Sequence, residues 1–364
     1  MILQFGAGRF LRGFFDRFVS EAGHRHAITV VQSTPGRRAE LMNTHAADGY
    51  PVAIRGLRAG ETVDETVQVT SLKKAIVAAD NWAGVLAAAC EPGLQLIVSN
   101  GTEAAYVLDE SGPSGVPETL PGKLAAALVA RNAAGREPVT ILPCELIDRN
   151  AEKLKDLVLQ QIALWKQQDA RGFVEACDWR CNLVDCIIID VPDDDPLAAN
   201  PLAVQAEPFA LLAVEGGPLP IDHAAIRQVD DLAPIALAKV RVLNGVHTAM
   251  VAKFSGEHGD DSFATVQEAL ADETARDWVR SVLMNEIVPV IEDRVDDAKG
   301  FAATTLERFA NPFLSHKLSD IALNHEAKIE TRLRPTMQDY ETQFGKPAPL
   351  LSAALGEERG QRRD

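Results

Sequence analysis

The sequence predicts an α/β fold, in which a doubly wound, mostly parallel sheet is followed by a mainly α-helical carboxyl-terminal domain. Up to about residue 232, short apolar runs alternate with stretches of helical periodicity. Beyond that point the apolar residues recur mainly at helical spacing. The length of 364 residues suits two domains, which we place at residues 1–232 and 233–364, the second of them short.

The first domain contains the strand signals. Five apolar runs have the length of buried strands: residues 1–5, 27–32, 94–99, 139–143 and 183–189. Amphipathic stretches between them predict helices at residues 81–89, 123–134 and 151–165. Residues 52–58 and 66–72 predict a hairpin-like insertion, and residues 209–214 predict a late strand. Such alternation places ligands beyond the carboxyl ends of the strands.

A glycine turn follows the first predicted strand directly. Gly6-Ala7-Gly8 lies between that strand and a helical pattern over residues 10–18, the context in which a Gly-x-Gly sequence indicates Rossmann-like nucleotide binding. Gly6 permits the tight turn, and Gly8 lets a pyrophosphate approach the backbone. The third glycine of the usual pattern is absent, since Leu11 occupies its position.

The segment after the second strand bears on cofactor choice. It contains Ser33, Thr34 and Arg37 but no acidic residue that could bind the ribose hydroxyls of NAD. The hydroxyls and arginines can hold a 2′-phosphate, or they can belong to a solvated loop. NAD and NADP therefore both remain candidates, with local chemistry leaning slightly to NADP.

Polar residues follow the third and fourth strands as well. Asn100 and Thr102 come after residues 94–99, and Glu145 and Asn150 come after residues 139–143. We expect Asn100 to meet the nicotinamide ribose, and Glu145 to act as a positioning carboxylate that pairs with a lysine, with Lys239 as the candidate. The alternative for Asn100 is a simple polar turn.

The helical domain begins with the most informative group of residues. At about 100° per residue, a helix over residues 234–247 places Lys239 at 0°, His247 near 80° and Asn244 near 140°. An ammonium, an amide and an imidazole on one face can move a proton and stabilise an oxyanion, as alcohol–ketone interconversion requires. On spacing alone, a surface helix explains the same triplet. Further helices are predicted at residues 263–271, 275–290 and 318–324.

These motifs together resemble the polyol-specific long-chain dehydrogenases, the mannitol dehydrogenase family. The nucleotide turn is GAGRFLR at 6–12, and the catalytic helix carries Lys239, Asn244 and His247 at the family's spacing. The chain looks most similar to the hexuronate-reducing members, the tagaturonate (altronate) and fructuronate (mannonate) reductases. The segments that carry this likeness are SNGTEA at 99–104, LPCELIDRN at 142–150, LNGVHTA at 243–249, RFANPFLSH at 308–316 and KIETRLRP at 328–335.

The resemblance implies a function and a set of roles. The fold would combine a Rossmann-like domain with a helical domain like that of 6-phosphogluconate dehydrogenase. Hydride would pass directly between NAD or NADP and a sugar carbon, without a metal. Lys239 would be the general acid/base, Asn150 and Asn244 would polarise the reacting oxygen, His247 would orient the substrate and Lys328 would contact it. The turn would contribute Gly6, Gly8, Arg9 and Phe10 to cofactor binding.

A hexuronate also needs a cation for its carboxylate. Lys328 and Arg332, four residues apart, are the candidates, with His316 a weaker one. The family's Val-Asp-Arg-Ile signature reads Val184-Asp185-Cys186-Ile187 here, so Asp185 is kept and the arginine is lost. The alternatives are therefore a mannitol-type polyol or sugar-phosphate dehydrogenase, or a nucleotide-binding protein that has lost catalysis.

The resemblance implies a small sugar acid or polyol as the partner, and composition argues against nucleic acid and membrane. A formal charge of −16 argues against nucleic acid, and no run approaches 18 apolar residues, which argues against a membrane span. The first residues lack a signal-peptide pattern, so a cytoplasmic location is expected. The odd number of cysteines, five, predicts free thiols, and Cys177, Cys181 and Cys186 lack the fourth ligand of a zinc site.

Overall fold

The computed structural model describes residues 1–255 and 262–357. The chain divides into two compact units. Unit one comprises Met1–Ile54 and Asp64–Leu232, and unit two comprises Arg55–Val63 and Ala233–Asp364. The tip of the predicted hairpin insertion therefore belongs to unit two.

Strands make up the centre of unit one. In chain order the described strands are β1 Ile2–Phe5, β2 Ile28–Gln32, β3 Tyr50–Arg58, β4 Glu61–Val69, β5 Leu72–Val77, β6 Leu96–Ser99, β7 Thr140–Pro143, β8 Asp178–Trp179, β9 Asn182–Asp185, β10 Ile188–Asp190, β11 Val204–Ala206, β12 Leu211–Glu215 and β13 Ile226–Val229. The main sheet has the order β5-β2-β1-β6-β7-β8, and its neighbouring strands are parallel. The predicted parallel α/β sheet is confirmed.

Helices cover the sheet of unit one. They are α1 Arg9–Gly13, α2 Phe15–Glu21, α3 Arg38–Thr44, α4 Trp82–Ala89, α5 Leu120–Ala133, α6 Asn150–Leu164 and α7 Arg171–Ala176. Leu3, Ile97 and Ile141 of the strands form one buried cluster with Leu124 of α5 and Val158 of α6. Each such aliphatic side chain stabilises the fold by about 1.5–3 kcal/mol on burial. Because both faces of the strands are covered, they appear in the sequence as continuous apolar runs.

The predicted strand at residues 183–189 is wrong in one respect, because it is two strands in two sheets. β9 belongs to the sheet β13-β12-β9, and β10 belongs to the sheet β10-β11-β3-β4. Between them the backbone N–H of Ile187 donates to Glu207 Oε1 at 2.7 Å instead of to a neighbouring strand. A continuous apolar run contains no signal for such a change of sheet. β5, an edge strand of the main sheet, also starts where the predicted hairpin was expected to end.

Unit two is helical. Its described α-helices are α8 Ala233–Ala238, α9 Gly245–Phe254, α10 Val266–Ala271, α11 Glu273–Val282, α12 Ala298–Phe309, α13 Leu318–Ile321, α14 His325–Lys328, α15 Arg334–Phe344 and α16 Pro349–Ala354. Three π-helical segments lie among them: Lys239–Asn244, Leu283–Ile287 and Ile329–Leu333. Val246, Met250, Val279 and Ile287 are completely buried in the unit's single described core cluster.

One continuous helix, Ala233–Phe254, forms the centre of unit two. It consists of α8, the first π segment and α9, and it extends well past the predicted end at residue 247. By length and composition this 22-residue helix is apolar enough to span a membrane, the single such helix among the described residues. However, 67% of its apolar window is buried inside the protein, as in a core helix.

Candidate functional site

The glycine turn of unit one requires glycine at position 6 for a steric reason. Gly6 has φ +130°, and a Cβ there would lie 2.8 Å from the backbone oxygen of Asn100. Gly8 has an ordinary φ of −70°, precedes α1, and has no described protein atom within 4 Å of its Cβ position. No described side chain caps the first N–H groups of α1. An open space beside uncapped N–H groups suits a pyrophosphate.

The buried side chain of Arg12 holds the backbone of this turn by hydrogen bonds. Its guanidinium donates to Ala7 O at 2.9 Å and to Leu202 O at 3.1 Å, and only 1% of the residue is exposed. Burial lowers the pKa of Arg12 to about 10, so it stays charged at neutral pH. The sequence analysis did not assign Arg12 a role, and the helical position next to Leu11 gave no sign that its side chain turns inward.

Two other residues of the turn have partners within unit one. Arg9 forms an exposed ion pair with Asp190, with 2.8 Å between Nη1 and Oδ2. The ring of Phe10 stacks on Phe14 with 4.9 Å between centroids. Arg9 therefore already has a carboxylate partner, which reduces its value as a phosphate ligand.

The loop after β2 is held by Gln32. Its carboxamide donates to Thr34 O at 2.8 Å and Gly36 O at 2.7 Å, and it accepts from the N–H of Ala39. Ser33 is exposed on this loop. Arg37 donates to both carboxylate oxygens of Glu40, at 2.8 and 2.9 Å. This pairing weakens the case for a 2′-phosphate bound by Arg37.

Glu145 is buried and turned towards the loop after β6. It is 2% exposed and accepts hydrogen bonds from Ser99 Oγ at 3.2 Å, Gly101 N at 3.0 Å and Tyr106 Oη at 3.0 Å. Burial raises the pKa of Glu145 and of Tyr106. The carboxyl group thus holds the loop that carries Asn100 and Thr102.

Asn100 makes a second hydrogen bond between the same two loops, with the donor on the other loop. Its Nδ2 donates to Cys144 O at 2.7 Å, so the loops after β6 and β7 are joined in both directions. Thr102 is exposed and precedes a single 3₁₀ turn, Glu103–Ala105. Tyr106 was missed in the sequence, where it follows the turn and resembles an ordinary core aromatic.

Asn150 has a different role from the expected one. It is 1% exposed, and its Nδ2 donates to the backbone oxygens of Pro143, Glu145 and Asn182 at 2.8, 3.2 and 3.1 Å. Its Oδ1 accepts from the N–H groups of Ala151 and Asn182. Since both amide protons are engaged, Asn150 has none left in this arrangement to polarise a reacting oxygen, and it joins β7 to β9. Asp185 is buried at the end of β9.

In unit two, the π segment realigns the predicted triplet. Hydrogen bonds from i to i+5 add roughly one residue to each turn, so Lys239 and Asn244, five apart, lie about one turn apart along the same face. His247 follows three residues later, just under one α-helical turn of 3.6 residues. The predicted offset of about 140° between Lys239 and Asn244 is therefore wrong, and the three residues share a face more closely than expected.

His247 is buried between aromatic rings. It stacks on Phe309 with 4.0 Å between centroids and meets His316 edge-on at 4.9 Å. Its Nε2 has no hydrogen-bond partner among the described residues. Burial lowers the pKa of His247 well below 6.5, and interactions with His316 and with nearby cationic side chains lower it further. The imidazole is therefore neutral at physiological pH, with one nitrogen available to a ligand.

Cationic groups surround this histidine. The cations that lower the pKa of His247 are Arg308, Arg332 and Lys328; His316 is not one of these cations at neutral pH, because burial lowers its own pKa. Lys328 Nζ donates to Ile321 O at 2.7 Å, and Arg332 Nη1 lies 3.4 Å from Thr248 Oγ1, one residue past His247. One acid, Asp320, acts on His316. This group, called the cation cluster below, presents positive charge in a chain whose net charge is −16.

The cysteines do not form a cluster. All five are free thiols, as their odd number predicted. Within residues 1–255 and 262–357, no three His, Cys, Asp or Glu side chains are grouped as metal ligands would be.

Comparison with known proteins identifies the family of this chain. The family model described as the mannitol dehydrogenase Rossmann domain matches residues 1–228, and that of the mannitol dehydrogenase C-terminal domain matches residues 231–356. An altronate oxidoreductase of Halalkalibacterium halodurans is 35% identical over 379 residues, covering 97% of this chain and 73% of the relative. That of Bacillus subtilis is 33% identical over 374 residues, covering 95% and 76%.

Solved structures share the fold at lower identity. A substrate-free D-sorbitol dehydrogenase superimposes with a TM-score of 0.84 at 19% identity, covering 98% of this chain and 79% of that one. The mannitol 2-dehydrogenase of Pseudomonas fluorescens, in a ternary complex with NAD and D-mannitol, gives 0.75 at 18% identity, covering 98% and 77%. The matches to both family domains, together with the relatives above 30% identity, show that this chain belongs to the mannitol dehydrogenase family.

Proposed function

We propose that this protein is an NAD(P)-dependent oxidoreductase that interconverts the keto group of a hexuronate and the corresponding alcohol. The preferred pair of substrates is tagaturonate and altronate. The observation that carries the substrate class is the cation cluster around a neutral, buried His247. A polyol has no charge to match such a cluster, whereas a sugar acid has a carboxylate. The altronate oxidoreductases that resemble the chain support the same choice.

Unit one would hold the cofactor. The open space at Gly8 and the uncapped start of α1 suit the pyrophosphate, and the hydroxyls of Ser33 and Thr34 suit the adenosine ribose. Asn100 and Thr102, on the loop that Glu145 positions, would face the nicotinamide end. Arg37 would contribute little, because Glu40 already neutralises it. When bound, the reduced nicotinamide supplies the hydride.

Unit two would carry the proton transfer. Lys239 would give a proton to the carbonyl oxygen as it becomes a hydroxyl group and would take it back in the reverse direction. Asn244, on the same face of the helix, would donate a hydrogen bond to that oxygen as its negative charge develops. Loss of one such donor costs about 2.7–4 kcal/mol of barrier. His247 would use its available Nε2 to orient a substrate hydroxyl.

Arg332 and Lys328 would bind the carboxylate. Of the two, Arg332 has the geometry for a bidentate contact, while Lys328 also ties its amine to Ile321 O. We also propose a cytoplasmic location, because the reaction draws on the nicotinamide pool of the cell.

A substrate panel and one pair of variants test the proposal. Oxidation of NADH and NADPH is followed with tagaturonate, fructuronate, fructose and fructose 6-phosphate, and tagaturonate should give the highest kcat/KM. Arg332→Met should raise KM for the hexuronate roughly thirty-fold or more, since truncating one partner of a buried charge pair costs at least about 2 kcal/mol. Arg334→Met is the control, because Arg334 pairs with Glu330 and Glu357.

Two results would contradict the proposal. Equal activity with fructose and with a hexuronate would remove the need for a carboxylate site. An equal rise in KM in the variants at positions 332 and 334 would show that the effect is general electrostatics and not a contact made by Arg332.

A further inference from the structure

Arg332 is a half-buried cation that has no acidic partner among the described residues. By contrast, Arg334, two residues later, pairs with Glu330 and Glu357. Among the described residues, the guanidinium of Arg332 makes a single hydrogen bond, from Nη1 to Thr248 Oγ1 at 3.4 Å. A partly desolvated guanidinium of this kind suits an anionic ligand, which supplies the charge partner that the fold does not.

Thr248 links this guanidinium to the central helix of unit two. The residue is fully buried, and its hydroxyl donates to Asn244 O at 2.8 Å while it accepts from Arg332 Nη1. A hydroxyl has one proton to donate and two lone pairs, so it can make both hydrogen bonds at once. The orientation of Arg332 is thereby tied to the helix that carries Asn244 and His247.

A second threonine holds the backbone of Arg332. Thr336 is fully buried, and its Oγ1 donates to Arg332 O at 3.1 Å and accepts from Arg241 Nη1 at 2.7 Å. Arg241 Nη2 in turn lies 3.4 Å from Asp339 Oδ2. Arg332 is therefore held at both ends, at its backbone by Thr336 and at its guanidinium by Thr248.

The two hydroxyls bond carbonyl oxygens of two π segments. Each threonine donates to the oxygen four residues before it, Asn244 at the end of Lys239–Asn244 and Arg332 within Ile329–Leu333. The backbones come close at Gly245, where a Cβ would lie 3.9 Å from Arg332 O. Segments of π-helix are rare and occur frequently at functional sites. The position of Arg332 is therefore built into the packing of two helical segments.

We propose that Thr248 is a specificity-determining positioning residue, whose hydroxyl holds Arg332 Nη1 so that the other edge of the guanidinium, Nε with Nη2, receives the substrate carboxylate. This inference rests on the proposed function, since it takes Arg332 to bind the carboxylate of a hexuronate. Nε and Nη2 have no hydrogen-bond partner among the described residues, and their parallel N–H groups match the two oxygens of a carboxylate. Thr248 acts through Arg332.

The benefit of this contact falls on charged substrates. A free arginine side chain has many rotamers, and ordering it when a ligand binds lowers the affinity. A guanidinium that is already ordered avoids this loss, but only a ligand with a carboxylate makes use of it. Removal of the Thr248 hydroxyl should therefore raise KM for a hexuronate and leave the chemical step and the affinity for NADH unchanged.

The test measures the NADH-dependent reduction of tagaturonate by the whole protein. Thr248→Val keeps the shape of the side chain but removes the hydroxyl, so KM should rise about fivefold, as expected for one hydrogen bond. Values of kcat and of the Kd for NADH should stay within about twofold of the wild type. Thr248→Ser restores a hydroxyl, and its KM should also stay within about twofold of the wild type.

A double-mutant cycle shows whether Thr248 acts through Arg332. In the Arg332→Met background there is no guanidinium to hold, so adding Thr248→Val should change KM by less than about twofold. If Thr248 only stabilised its helix, the fivefold factor would persist in this background.

Thr305→Val is the matched control. Thr305 is also fully buried in unit two, and its Oγ1 donates to the carbonyl oxygen four residues earlier, Phe301 O, at 2.9 Å. It has no hydrogen bond to an arginine among the described residues. This variant should keep the wild-type KM.

Thr248→Ala removes the same hydroxyl and takes the place of Thr248→Val if the valine variant does not fold. The inference is overturned by an unchanged KM, by an equal rise in Thr248→Ser or Thr305→Val, or by a factor that persists in the Arg332→Met background. In these cases the wild type still reduces tagaturonate, and the proposed function stands. A wild type that reduces no hexuronate, or an Arg332→Met variant with an unchanged KM, overturns the proposed carboxylate site and the inference together.

Discussion

At the scale of the residue, Gly6 and Gly8 are required for different reasons. A side chain at position 6 collides with the backbone of Asn100 and sits at a φ that favours glycine, whereas a side chain at position 8 meets no described protein atom. Gly6 is therefore needed by the fold, whereas a glycine at position 8 is explained by the pyrophosphate proposed to bind beside it. The sequence alone does not distinguish these two reasons for glycine, since both glycines belong to one short motif.

The two alanine variants should separate stability from binding. Gly6→Ala should lower the free energy of unfolding by about 1–3 kcal/mol, because it strains the backbone and contacts a fixed carbonyl. Gly8→Ala should leave it within about 0.5 kcal/mol of the wild type yet weaken NADH binding at least tenfold. Urea unfolding and fluorescence titration measure the two quantities. Unchanged NADH affinity in Gly8→Ala would contradict the assignment of this space to the pyrophosphate.

At the scale of the element, the sequence predicted most of the main sheet and the helix of the catalytic triplet. β1, β2, β6 and β7 lie within their predicted ranges, because parallel strands buried on both faces are simple apolar runs. The π segment Lys239–Asn244 was not predictable, since its residues fit an α-helix equally well and only the i→i+5 bonds of the folded unit differ.

Hydrogen bonding explains the site residues that the sequence placed differently. Asn150 follows a strand and resembles a ligand-binding amide, but both its protons bind backbone oxygens nearby in the fold. Glu145 and Tyr106 are 39 residues apart and meet because the loops after β6 and β7 are neighbours. Such pairings depend on the tertiary structure and have no local signature.

The helix Ala233–Phe254 contains two lysines, Lys239 and Lys253, and comparing them tests the proposed role of Lys239. Lys239→Ala should lower kcat by at least about a hundredfold, within the range for loss of a general acid/base, while NADH affinity stays within about threefold. Lys253→Ala is the control, because Lys253 lies in the last turn of α9. Steady-state kinetics with tagaturonate and a binding titration give both values. Comparable turnover in the two variants would contradict the role of Lys239.

At the scale of the whole molecule, the two units differ in the titratable groups that they bury. Unit one buries carboxyl groups with a raised pKa, Asp16 and Glu145. Unit two contains imidazoles with a lowered pKa, namely the buried His247 and the half-buried His316 and His325, against one buried carboxyl group with a raised pKa, Glu286. Each set makes the stability of its unit depend on pH, and the two signs are opposite.

The signs follow from the protons bound in each state. Folded unit one holds the proton of Asp16 up to about pH 7, whereas an ordinary aspartate loses it near 3.8, so raising the pH through this interval lowers the free energy of unfolding. In unit two the unfolded histidines take up protons below about pH 6.5 and the folded ones do not, so lowering the pH is destabilising. Glu286 opposes this effect, but it is one carboxyl group against three imidazoles, so the net effect of lowering the pH is still destabilising.

Unit one should therefore lose stability as the pH rises from 5 to 7, and unit two as the pH falls from 6.5 to 5. Tryptophan fluorescence can distinguish them, because Trp82, Trp165 and Trp179 lie in unit one and Trp278 lies in unit two. In Trp278→Phe, thermal unfolding reports on unit one alone, and its midpoint should fall as the pH rises from 5 to 7 and change little above pH 7. The difference between the wild-type unfolding signal and that of Trp278→Phe reports on unit two, whose unfolding midpoint should fall as the pH is lowered. If both midpoints moved in the same direction across this range, the buried carboxyl group of Asp16 would not carry the proton that the structure assigns to it.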